Sequence, residues 1–116
     1  MTAQLLRILD RVTRVRGVRG AMLVAAEDGL VVAESLMEDV RGNALAALAA
    51  ALAGRLGRAT AASGIGDAAF VQLEAERGAL LLVPAGEGML LVTIADPTVN
   101  VGLARLEMLR AVTEVG

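Results

Sequence analysis

Apolar positions along the chain recur with two periods, and the switches between them outline its elements. Leu5, Ile8, Leu9, Val12 and Val15 fall at helical spacing over residues 4–15, with Arg7, Arg11 and Arg14 on the other side. This is the pattern of an amphipathic helix, ended by Gly17 and Gly20. AMLVAA (21–26), EDG (27–29) and LVVAES (30–35) then read as strand, turn and strand, with Asp28 and Gly29 expected to supply the positive φ angles of a tight hairpin. Asp39 is the expected cap of a second helix that runs to about Ala62 and is closed by SGIGD (63–67). Three more strands are expected at AAFVQLEA (68–75), ALLLVP (79–84) and MLLVTIA (89–95), joined by the short connections ERG and AGEG. Asp96 and Pro97 suit the cap and first turn of a third helix reaching about Glu114, because proline there lacks only an amide that would go unbonded anyway.

Strands that are apolar at nearly every position belong to a sheet covered on both faces, since a half-exposed strand would alternate. The expected fold is therefore α+β: a three-layer α/β/α sandwich with the order α-ββ-α-βββ-α and a mostly antiparallel five-stranded sheet. No internal repeat or linker divides the 116 residues, so one domain spanning 1–116 is expected.

The second helix breaks the amphipathic rule. Sorted at 100° per residue, Asn43–Ala62 places Leu45, Leu48, Ala49, Leu52 and Leu56 on one face, the expected sheet-facing stripe. The opposite face carries Ala47, Ala50, Ala51, Gly54 and Ala61, with Arg58 as its charge. A helix that is apolar all round is buried all round, and a sandwich this small has no further layer of its own. Gly54 and Gly57 would each cost about 1 kcal/mol relative to alanine in a helix interior, a cost that close approach of another backbone would explain. Another chain is the expected cover, and a twofold homodimer is the default because most soluble oligomers are of that kind. The alternative is that alanine is simply a good helix former whose methyl groups face water. In the third strand, Phe70, Gln72 and Glu74 alternate with Val71 and Leu73, which suggests an edge open to another strand.

Composition narrows the chemistry. Hydrophobic residues make up 56% of the chain, above the roughly 45–50% of ordinary soluble domains. The longest apolar run, Ala44–Ala53, is about half the length of a membrane-spanning helix, so no membrane insertion is expected. Charge enters at Arg7 and Asp10 before a signal-peptide core can form, and a cytoplasmic location is expected. Cysteine, histidine, tryptophan and tyrosine are absent. That removes thiolate metal sites, the commonest general base and most base-stacking platforms. Ser35 and Ser63 have no histidine to activate them. The carboxylate pairs Glu74/Glu76 and Glu27/Asp28 sit at strand ends and turns, and the glycine pairs Gly64/Gly66 and Gly86/Gly88 precede strands, where a phosphate cradle would open a helix. A net charge of −2 names no nucleic-acid partner. No catalytic residue, cofactor or metal is expected. The Arg7/Arg11/Arg14 stripe reads as a solvated face with Asp10–Arg14 as an i,i+4 pair.

Element order and several segments resemble the roadblock/LC7 family, with its profilin-like sandwich, and within it the bacterial gliding-protein B type. The matching segments are GVRGAMLVAAEDGLVVA (17–33), the alanine-rich second helix, GALLLVPAG (78–86) and LLVTIADPTVNVGLARLEM (90–108). The resemblance implies a homodimer in which the second helix meets its twin and the third strand pairs with its twin. It therefore places Ala47, Ala50, Ala51, Gly54 and Ala61, with Phe70, Val71, Gln72 and Leu73, at a dimer interface. It further implies a regulator or scaffold of small Ras-like GTPases that binds them through the paired second helices, at most stimulating hydrolysis indirectly. Arg55 and Arg58 would then reach the GTPase, although cations near a helix C-terminus also complement its dipole. The alternative function is a structural assembly subunit whose binding ignores the nucleotide state.

Overall fold

The computed structural model describes residues 2–114. In chain order these form α1 (Thr2–Thr13), β1 (Val18–Ala25), β2 (Val31–Leu36), α2 (Gly42–Ala62), β3 (Val71–Ala75), β4 (Gly78–Pro84), β5 (Met89–Ala95) and α3 (Val101–Val112). The strands make one sheet in the order β2-β1-β5-β4-β3, and every adjacent pair is antiparallel. The expected α+β sandwich and its element order are observed.

Side chains of successive strand residues point to opposite faces, and here both faces are apolar. Ala21, Leu23, Leu81, Val83 and Leu91 pack against Ile8, Leu9 and Val12 of α1 and Ala104, Met108 and Ala111 of α3. Met22, Val24, Leu80, Leu82, Leu90 and Val92 pack against Ala46 and Ala49 of α2. The central strands are covered twice, which is why they read as unbroken apolar runs.

Local signals were overruled at three places, at two of them by contacts remote in sequence. Asp39 does not cap α2: its carboxylate pairs with Arg19, which also lies 3.6 Å from Asp96, and the cap position falls to Arg41 with no side-chain bond. Asp96 and Pro97 do not start α3 either. The Asp96 amide donates to the Gly17 carbonyl at 2.7 Å, holding this turn against the start of β1, and Asn100 becomes the cap, accepting from the Leu103 amide at 3.0 Å. In the β1–β2 turn only Gly29 has positive φ, at 75°. Asp28 instead accepts a bond from the Leu30 amide at 3.1 Å, the local turn bond that Asp side chains favour.

Candidate interaction surface

α2 lies chiefly over β1, β2 and β5, and its seat on the sheet is made of small residues. Ala46 and Ala49 are fully buried and Ala50 is 8% exposed, whereas Leu48 is 46% exposed. The expected sheet-facing stripe is therefore corrected: α2 is turned by most of one residue's rotation, with alanines against the sheet, Leu45, Leu52 and Leu56 half-buried at its flanks, and Leu48 outward. The cause is the β1–β2 turn, which folds up against the helix. A Cβ on Gly29 would stand 3.2 Å from the Ala47 Cα and 3.5 Å from the Ala50 Cβ. That approach buries Ala50 within the protomer, so Ala50 does not belong to the outward face.

What remains open on α2 is the line Ala44, Leu48, Ala51 and Arg55, flanked by Ala47 and Arg58, all exposed. Ala61 is exposed near its end, and Gly54 is half-buried, with a Cβ there 3.4 Å from the Arg58 guanidinium. Arg58 thus folds back along the helix and, with Glu27 and Asp28 of the hairpin turn, borders a groove of ≈ 480 Å³ floored by Ala47, Ala50 and Ala51. Arg55 and Arg58 stand at one end of an apolar strip, both exposed and with no carboxylate within ion-pair distance among the described residues.

β3 forms the edge of the sheet next to β4. Val71 and Leu73 stand opposite Leu82 and Leu80, on the α2 side; Gln72 stands opposite Leu81, on the other side. Because α2 sits over the far strands, this end of its sheet face is left uncovered: Leu73 is 40% exposed. A hollow of ≈ 340 Å³ opens between Ala53, Gly54 and Gly57 of the helix and Val71, Leu82 and Leu90 of the sheet. A Cβ on Gly57 would meet nothing within 4 Å, so no contact inside the protomer requires that glycine. Phe70 behaves differently from its neighbours. Its ring packs toward the α1–α3 layer and lies under the Arg105 guanidinium, 4.8 Å from the ring centroid.

Ala47, Leu48 and Ala51 on α2 and Leu73 on β3 are thus exposed on the α2 side of the sheet, while Ala50 and Phe70 are engaged inside the protomer. Leu48, expected against the sheet, is the residue that sequence reasoning undervalued, while Leu73 was already placed at the expected interface.

The Roadblock/LC7 domain profile matches residues 5–95. Three uncharacterised proteins of Methanocaldococcus jannaschii are each 38% identical over 94% of this chain, two of them matched over 94% of their own length and one over 91%. Among solved structures, a Roadblock/LC7 domain from Streptomyces avermitilis superposes with a TM-score of 0.85 at 26% identity, covering 94% of this chain and 92% of that one. The gliding protein MglB of Thermus thermophilus gives 0.86 at 25% identity over 98% and 87%. A structure described as MglB with tetrameric arrangement gives 0.89 at 25% identity over 98% and 86%. With the profile, the curated relatives and the sandwich itself in agreement, this chain belongs to the Roadblock/LC7 family.

Proposed function

We propose that the protein is a non-catalytic homodimer that regulates or scaffolds a small Ras-like GTPase. The observation that carries this reading is that the Ala44–Leu48–Ala51 strip of α2 is exposed while, on the same side of the sheet, β3 has an uncovered face and a free edge. A second copy related by a twofold axis matches that side: its β3 continues the sheet edge to edge, and its α2 lies over Leu73 and the ≈ 340 Å³ hollow that the first α2 leaves open. Small residues on both helices let the backbones approach closely. The paired helices then form a ridge flanked by Arg55 and Arg58 from each copy, exposed cations free to meet carboxylates of a partner. The similarity to MglB structures supports this placement within the family, and the tetrameric arrangement of one of them supports a role in assembly.

Regulation and passive scaffolding are separated by nucleotide dependence. Small Ras-like GTPases purified from the same organism, loaded with GTP analogue or GDP, are tested for co-elution and for hydrolysis with and without it. Selective binding of the GTP form, weakened by Arg55→Glu and Arg58→Glu, is the expected result. Equal binding of both forms would make the chain an assembly subunit, and no binding of either would remove the GTPase from the account.

A further inference from the structure

The layer on the other side of the sheet carries a second unpartnered surface. α3 buries Ala104, Met108 and Ala111, yet Leu103, Leu106 and Leu109 lie on its outer side at 44%, 44% and 40% exposure. At the Leu103 end of this row, between the C-terminal end of α1 and α3, lies a groove of ≈ 390 Å³ lined by Arg11, Arg14, Val15, Arg16, Leu103 and Glu107.

Charge is divided unevenly across the molecule. Residues 2–16 and 101–114 hold six arginines (7, 11, 14, 16, 105 and 110) against three carboxylates, Asp10, Glu107 and Glu114, a local balance of +3 in a chain whose total is −2. The three carboxylates are each taken up by one arginine: Arg14–Asp10 at 2.8 Å, Arg11–Glu114 at 2.8 Å and Arg110–Glu107 at 3.2 Å. Arg7, Arg16 and Arg105 have no carboxylate within ion-pair distance among the described residues. The excess positive charge therefore surrounds the leucine row, while the remainder of the chain is acidic.

From this complementarity we propose that the α1–α3 layer docks an acidic amphipathic helix of a partner protein. Its apolar residues lie on the Leu103–Leu106–Leu109 row and its carboxylates meet Arg7, Arg16 and Arg105. Leucines spaced three residues apart on an exposed helix face, with a groove at one end, suit the apolar face of a partner helix. An anionic membrane is disfavoured by the three carboxylates interleaved with the arginines. The site is separated by the sheet from the α2 side and does not depend on the GTPase reading.

The test uses the full chain and a fluorescent 16-residue helical peptide with leucines at i, i+3 and i+7 and glutamates flanking them, a control with every glutamate replaced by lysine, and phosphatidylglycerol vesicles. The glutamate peptide should bind at least about tenfold tighter than the lysine peptide. Its affinity should fall as salt rises, because exposed charges are screened. Leu106→Gln and Arg16→Glu should each weaken it several-fold, with the light-scattering mass unchanged. Should Leu106→Gln unfold the chain, Arg16→Glu decides alone. Equal affinity for the two peptides, indifference to these substitutions, or binding to vesicles without binding to the glutamate peptide would overturn the proposal.

Discussion

Thr93 is fully buried in the middle of the sheet, opposite Ala21 and Leu81, and its hydroxyl has no hydrogen-bond partner. An unpaired buried hydroxyl costs on the order of 1–3 kcal/mol, and valine has nearly the same shape. Thr93→Val is expected to raise stability by about 1 kcal/mol in a urea melt; a loss would mean that the hydroxyl is bonded. Gly29 is the reverse case. Its φ of 75° and the 3.2 Å approach to the Ala47 Cα leave no room for a side chain. Gly29→Ala should destabilise by at least about 1 kcal/mol, the usual cost of placing an L-residue in the left-handed region. The Asp28-Gly29 pair was legible as a turn, but which of the two residues takes the positive φ was not. That depends on α2 lying against the turn, a contact between segments distant in sequence.

Elements were easier to locate than to orient. β5 falls on its expected residues, and β4 starts one residue early, because long runs such as MLLVTIA and ALLLVP admit little besides a doubly covered strand. The rotation of α2 was hidden because alanine carries little weight in a periodicity, so four leucines defined a stripe that the alanines in fact occupy. Two substitutions separate the orientations. Ala46→Leu should destabilise by about 1–3 kcal/mol through overpacking, while Leu48→Ala should change the stability of the isolated protomer little, since Leu48 is already half-exposed. The reverse ranking in denaturant melts on the single-chain Ala51→Glu background would restore the leucine-in orientation. Helix starts were misplaced where a good local cap had a stronger remote partner, as Asp39 has in Arg19 and Asp96 in the Gly17 carbonyl. Asn100→Ala should accordingly cost about 1 kcal/mol through the lost bond to the Leu103 amide. α3 shows the same omission as α2: leucines on its outer side were as visible in the sequence as the alanines of α2, yet they went unread because the helix also supplied a sufficient buried face.

At the scale of the molecule, the composition already implied more apolar surface than one small core can absorb, and the structure shows where the surplus lies. Part is the α2 strip and β3 edge on one side; part is the leucine row of α3 on the other. The sandwich closes its two inner faces but leaves apolar surface exposed on the outer sides of α2 and α3. Pairing through α2 and β3 is the claim on which the rest of the functional account depends. Multi-angle light scattering of the purified protein and of Ala51→Glu tests it most directly, since Ala51 is exposed in the protomer and a charge forced between close helices is strongly destabilising to their contact. The account predicts twice the 11.9 kDa chain mass for the native protein and a single-chain mass for the folded variant. A native protein that stays at 11.9 kDa at high concentration, or a dimer untouched by Ala51→Glu, would contradict it.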